Sequence, residues 1–138
     1  MSDDWETPDD LFDELNLEFQ FTLDPCCTPD TAKCEKYFTV EDNGIFESWE
    51  DERVFMNPPY SNISTWVNKA VLEVTQNNCP LVVALLPAWT DRIWFHWYIY
   101  PDRAEIRFLQ GRVKFLMAGE IKESPTFGSM VVIWRLSE

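Results

Sequence analysis

The chain has 138 residues, 46% of them apolar and 15% aromatic, and a formal net charge of −13. This size predicts one domain over residues 1–138, with a substantial core and no separate target-recognition domain, and the apolar content excludes a disordered chain. The longest apolar stretch, Leu81 to Trp89, is too short to cross a bilayer, and no basic start followed by an apolar run marks a secretion signal. In chain order, a loose acidic start over residues 1–6 leads to Thr7-Pro8-Asp9-Asp10, which reads as a helix N-terminus. Thr7 is its N-cap, Pro8 its first residue, and Leu11, Phe12 and Leu15 its apolar stripe. Phe19 to Leu23 alternates as a strand and breaks at Asp24-Pro25; Lys36 to Val40 is a second strand, ending in the turn cluster Glu41-Asp42-Asn43-Gly44. Arg53 to Met56 is a third strand. Ser61 or Asn62 then caps an amphipathic helix whose apolar face holds Ile63, Trp66, Val67, Ala70, Val71 and Val74. Leu81 to Leu86, bounded by Pro80 and Pro87, reads as a strand covered on both faces. Thr90 to Tyr98 starts another helix, Glu105 to Leu109 and Arg112 to Leu116 form a hairpin turning at Gln110-Gly111, and Ser129 to Leu136 is the last strand.

Alternating strands and helices make the class α/β, with a mixed, mostly parallel sheet. In such sheets ligands bind beyond the carboxyl ends of the strands, where Asp24, Glu41, Asp42, Asn57 and Pro87 all fall. The expected location is the cytoplasm, the host cell's if the chain is phage-encoded. Cys26, Cys27, Cys34 and Cys79 are therefore expected as free thiols. Adjacent Cys26-Cys27 fits C-x2-C zinc spacing badly, so no metal site is expected. His96, the only histidine, reads as a packed or half-exposed ring rather than a base. Charge is uneven. Residues 1–52 set only Lys33 and Lys36 against a large acidic excess, whereas residues 101–138 hold Arg103, Arg107, Arg112, Lys114, Lys122 and Arg135. A nucleic-acid face would be built from that basic end.

The most telling stretch is Asn57-Pro58-Pro59-Tyr60, directly after the apolar strand Val54-Phe55-Met56. Two prolines fix φ and offer no N–H, so the chain can neither pair as a central strand nor continue as a helix. What remains is a stiff turn that aims an amide oxygen, a carbonyl and a flat ring into one space. That set suits a planar molecule with an NH2 group: the carbonyls accept its two hydrogens while the ring stacks on its face.

The tetrapeptide resembles the (D/N)PPY motif of methyltransferases that use S-adenosylmethionine to methylate exocyclic amino nitrogens. More specifically, the chain resembles the compact phage-type DNA N6-adenine methyltransferase (Dam) family. The resemblance rests on Trp5-x-Thr7-Pro8, Phe21-Thr22-Leu23-Asp24-Pro25-Cys26, Trp49, Val54 through Ser61, Leu86-Pro87-Ala88 with Trp94-Phe95, Gly111-Arg112-Val113-Lys114-Phe115 and Ser124-Pro125-Thr126-Phe127. It implies a Rossmann-like S-adenosylmethionine-dependent fold and methylation of adenine N6 in double-stranded DNA. It further implies Asp24 on the cofactor's ammonium, Thr7 on its carboxylate and Cys26 in the same cofactor segment. Glu41 or Asp42 would sit on the ribose, or Asp42 on the adenine amine, with Trp49 walling the adenosine pocket. Asn57, Pro58 and Tyr60 would act on the target base, Phe115 would cover its other face, and Arg112 and Lys114 would meet phosphates. One departure stands out: Asp24 to Thr28 contains no glycine where such enzymes usually carry several. A homodimer could supply the missing DNA surface. The same motif also serves enzymes acting on RNA adenine or protein glutamine, and an acidic chain could instead be a silent relative or a DNA mimic.

Overall fold

A computed structural model describes residues 5–117, 119–121 and 125–136 of the chain. The first four residues of the acidic start, together with Lys122 and Ser124, lie outside the described residues. The elements are α1 (Asp9–Phe19), β1 (Leu23–Asp24), β2 (Lys36–Tyr37), β3 (Arg53–Met56), α2 (Ile63–Gln76), β4 (Leu81–Pro87), α3 (Ile93–Tyr98), β5 (Glu105–Phe108), β6 (Leu116–Met117), β7 (Glu120–Ile121) and β8 (Ser129–Arg135). Six strands form one mixed sheet in the order β2-β1-β3-β4-β8-β5, and β6 and β7 form a separate small hairpin. From β2 to β4 every pairing is parallel; β8 is antiparallel to both of its neighbours. Among the described residues, no helix is long and apolar enough to cross a membrane.

The core has two layers. On one face of the sheet Trp66, Val67, Ala70 and Val74 of α2 and Trp94 and Phe95 of α3 pack against Val82, Ala84 and Leu86. On the other, Phe12, Leu15 and Phe19 of α1 join Val113 and Phe115 over Phe55, Val83 and Leu85. The residues of β4 thus alternate between two buried layers, which is why its sequence is apolar without interruption.

Several details differ from the sequence reading: β2 stops at Tyr37 rather than Val40, and α3 begins at Ile93 rather than Thr90. Helix α1 runs on through Phe19, which lies one turn beyond Leu15 on the buried stripe, and β1 keeps only Leu23 and Asp24. Pro8, not Thr7, is the cap residue, and Phe12 donates its N–H to the Pro8 carbonyl (3.1 Å). A 3₁₀ turn over Tyr60–Asn62 precedes α2; Asn62 takes the cap position without a side-chain cap bond. The hairpin at Gln110-Gly111 does not form. Residues 109–115 run as an irregular strap, and Leu116 pairs with Glu6 and Ile121 instead.

One support chain crosses the molecule to the end of β1. Glu73, buried on α2, accepts the Trp49 backbone N–H (2.6 Å), and the Trp49 indole N–H donates to the Gly44 carbonyl (3.1 Å). Gly44 in turn lies so close to the Pro25 carbonyl that an added Cβ would stand 2.2 Å from its oxygen. Trp49 itself is fully buried and packs on Trp66. It cannot line an open adenosine pocket; it braces the loop beneath Asp24.

Candidate functional site

The parallel strands β1, β3 and β4 all end at one edge of the sheet, and β8 starts beside the end of β4, Ser129 opposite Pro87. Asp24 closes β1 and is 4% exposed. Its carboxylate accepts the Lys33 backbone N–H at 3.0 Å and the Cys26 N–H at 3.4 Å. Burial pushes this carboxyl up to about 6, against the pull of those two donors. A carboxylate has about four lone-pair sites, so two such donors leave capacity for a cationic guest.

Cys26 links Asp24 to the Asn57 turn. The Asn57 backbone N–H faces the Cys26 sulfur, and burial, reinforced by the charge of Asp24, holds that thiol well above its ordinary range. Burial likewise raises the Cys27 thiol, with Asp24 and, more weakly, Asp42 adding to the effect. All four cysteines are free thiols. Asp42 is exposed and accepts the Thr39 N–H (2.9 Å) and hydroxyl (3.1 Å), closing the turn after β2. Glu41 beside it is exposed. Thr7 is buried just before α1.

Asn57 follows β3 directly, held by the stiff Pro58-Pro59 pair, with Pro58 buried. Its Nδ2 donates to the Trp5 carbonyl at 2.8 Å, so Oδ1 is the end of the amide left to accept. Tyr60 lies at the centre of a ring cluster. Trp5 (5.4 Å), Phe127 (5.4 Å), Trp89 (5.8 Å) and Phe115 (6.3 Å) all meet it edge-on. The Tyr60 hydroxyl is buried with no hydrogen-bond partner among the described residues, and burial raises its pKa. Phe115 is buried beneath the cluster.

The strap carrying Phe115 alternates: Arg112 and Lys114 point to solvent, Val113 and Phe115 to the core. Because β5 is parallel to β4, the strap leaves from the same sheet edge as Asn57. The Arg112 guanidinium donates to the Pro125 carbonyl at 3.4 Å. Arg107 and Arg135 have other work. Arg107 clamps Glu18 through two 2.7 Å bonds and also binds Glu105, which Arg135 reaches at 3.4 Å. A cavity of about 370 Å³, lined by Glu6, Asp9, Phe12, Thr31, Lys33 and Leu116 among others, opens beside the backbone that holds Asp24. A second, of about 400 Å³, lies by Lys69, Glu73 and Asn77 and touches none of the residues at this sheet edge.

A buried strand-end acid, a proline-stiffened amide and a ring cluster thus share one edge, in the chain order the motifs carry. The profile of the DNA N-6-adenine-methyltransferase (Dam) family matches residues 1–138. The chain belongs to this family. It is 32% identical over 93 residues to the DNA N-6-adenine-methyltransferase of Escherichia phage T1, covering 66% of this chain and 38% of the relative. It is 28% identical over 114 residues to the enzyme of the same name from Haemophilus phage HP1 (strain HP1c1), covering 81% and 65%. The chain therefore spans less than two thirds of the length of either phage relative.

Within this Dam-family chain the structure adds residues that the motifs alone did not assign. Trp5, Trp89 and Phe127 complete the cage around Tyr60, and the Arg92 guanidinium sits 4.5 Å over the Trp89 ring. Trp5 and Phe127 stand in recognisable motif segments, but nothing in their spacing says that they meet Tyr60. Arg92 carried no signal beyond its charge.

Proposed function

We propose that this chain transfers the methyl group of S-adenosylmethionine to the exocyclic N6 amine of adenine in double-stranded DNA, on a Rossmann-like fold. The observation that carries the reading is the Asn57 amide at the end of β3, with its Nδ2 end tied off and its Oδ1 end facing away from that tie. The buried Asp24 carboxylate lies one cysteine away from it.

The residues present suit the cofactor. Asp24 is buried, keeps acceptor capacity and would hold an ammonium by charge-assisted bonds. Thr7, just before α1, would meet a carboxylate, Cys26 would line the same segment, and Asp42 would take a ribose or adenine polar group. The bound cofactor supplies an electrophilic methyl group on a sulfonium. The chain's own contribution is positioning. Oδ1 of Asn57 and the Pro58 carbonyl accept the two N–H bonds of the target amine, which draws N6 toward tetrahedral geometry and directs its lone pair. Such a step depends on alignment more than on a strong base.

The target adenine must leave the duplex to reach this edge. Tyr60 would stack on one face and Phe115 on the other, which requires the edge-on rings to part. Arg112 and Lys114 would contact phosphates from the strap, and Arg92 is placed to do so beyond Trp89. A homodimer would widen this small DNA surface. The working site would be the cytoplasm, the host cell's if the chain is phage-encoded. Incubating the protein with labelled S-adenosylmethionine and duplex DNA, then digesting to nucleosides, should yield labelled N6-methyladenine. Label found only in cytosine, RNA or protein would refute the assignment.

A further inference from the structure

We infer that Trp5 is a positioning residue for Asn57: its carbonyl fixes which end of the Asn57 amide faces the target amine. The inference rests on the methyl-transfer reading above and deepens it. A side-chain amide has a donor end and an acceptor end, and rotation by half a turn exchanges them. Accepting the N–H bonds of an amine requires Oδ1; presented the other way round, the amide would oppose its donors to the donors of the substrate. The Asn57-Pro58-Pro59 turn fixes where the amide stands but not which way round it sits. The Trp5 carbonyl, which can only accept, lies 2.8 Å from Nδ2 and settles the choice. Reversing the amide would set oxygen against oxygen.

The carbonyl can do this only if its own place is held, and two independent anchors hold it. One is backbone pairing next door: the Glu6 N–H donates to the Leu116 carbonyl (2.8 Å) and the Leu116 N–H to the Glu6 carbonyl (3.0 Å). The other is the Trp5 indole, which stacks on Phe127 (5.8 Å, 10°) and leans on Phe115 (5.1 Å, 39°). Trp5 also meets Tyr60, so DNA affinity can change with it. The discriminating quantity is therefore kcat at saturating DNA and cofactor.

Trp5→Ala should lower that kcat on the order of 10- to 100-fold, the scale of a misaligned reacting group, while cofactor affinity stays within about twofold. Trp5→Phe, which keeps a flat anchor, should recover most of the loss. Glu6→Pro removes the N–H that pairs with Leu116 but leaves the indole in place, and should lower kcat in the same way. In an Asn57→Asp background no amide is left for the Trp5 carbonyl to orient, so adding Trp5→Ala should lower kcat by less than about threefold. In the 15N spectrum of the protein alone, one Asn57 side-chain N–H should be protected from exchange and lose that protection in Trp5→Ala. Parental turnover by folded Trp5→Ala, or an equal fold-loss in the Asn57→Asp background, would overturn the inference. A parent that holds the protected amide yet methylates no adenine would sink the proposed reaction instead, so the two failures are distinguishable.

Discussion

Lowering the pH from 7 to 5 should weaken S-adenosylmethionine binding about tenfold through Asp24 alone. Burial lifts the Asp24 carboxyl from an ordinary 3.8 to about 6. If the ammonium of the cofactor is held by the ionised form, affinity follows the ionised fraction, roughly nine-tenths at pH 7 and one-tenth at pH 5. The cofactor's α-amino group, with an ordinary pKa of about 7.7–8.0, stays charged across this range and does not confound it. Stability moves the opposite way. A carboxyl whose folded pKa lies above its unfolded value binds its proton more tightly when folded. Stability of the free protein therefore falls as pH rises from about 4 to about 6, by a total of about 3 kcal/mol. Calorimetric titration at pH 5, 6 and 7, in buffers of different ionisation enthalpy, reads both the affinity and the protons released. Near pH 5 close to one proton should leave per cofactor bound. Asp24→Asn should bind weakly with a flat profile over the same range. A parent whose affinity does not change between pH 5 and 7, or an Asp24→Asn protein that keeps the parental slope, would show that Asp24 does not hold the ammonium.

Asn57→Ala should nearly abolish adenine methylation yet leave cofactor affinity close to parental, checked by the nucleoside assay beside calorimetry; parental turnover would remove Asn57 from the mechanism. Tyr60→Phe should keep most activity and match or exceed parental stability, since it deletes a buried hydroxyl without a partner among the described residues. Tyr60→Ala should cost about 1–3 kcal/mol of base capture, read as KM for DNA; equal damage from both variants would give the hydroxyl a role. Gly44→Ala drives a Cβ into the Pro25 carbonyl and should cost about 1–3 kcal/mol in urea unfolding. An unchanged midpoint would mean the loop yields freely. Charge reversal at Arg112 and Lys114 should weaken DNA binding and flatten its logarithmic salt dependence by about two phosphate contacts; an unaltered slope would move the DNA face elsewhere.

The best-read parts of the chain were those where apolar runs meet hard stops. β3 ends at Asn57-Pro58 and β4 lies between Pro80 and the Pro87 that closes it, so period, length and breakers agreed. Phe19, expected in the strand, belongs to two patterns at once: an alternation with Phe21 and Leu23, and a helical stripe with Phe12 and Leu15. The helix won, helped by Asn16, whose carbonyl accepts the Gln20 N–H and whose side chain accepts the Phe21 N–H at 2.8 Å. Arg112 to Phe115 alternates in burial as the strand expected there would, but burial alternation does not require a strand partner. There the inward side chains pack with α1 and the backbone stays irregular. No glycine follows Asp24 up to Thr28. The close contact with Pro25 comes from Gly44, on a different loop held by Trp49. The Trp5–Asn57 bond joins positions 52 apart and left no mark on local pattern.

The net charge of −13 looks hostile to a DNA substrate, and the arrangement of ion pairs narrows the conflict without removing it. Arg107 and Arg135 are committed to Glu18 and Glu105, and Arg53, at the start of β3, donates to the Phe19 carbonyl. Arg53 starts β3 and Arg135 stands opposite the start of β4, while Arg107 lies on β5, three strands across the sheet from β3. Lys33 is tied to Asp9 and Lys36 to Glu52. Among the described residues, the cations at the Asn57 edge without a close carboxylate partner are Arg112 and Lys114, with Arg92 only loosely paired to Asp91 at 3.7 Å. Three phosphate contacts would give a logarithmic salt slope of only about −3, far less than proteins that grip DNA mainly by charge. Base–aromatic stacking, at about 1–3 kcal/mol per base, is then comparable in weight to the phosphate contacts. A protein so arranged gains little from DNA that offers no base to the ring cluster, and its acidic surface opposes lingering there. On the proposed reading, selectivity for an extruded adenine would follow from having few cations as much as from having Asn57.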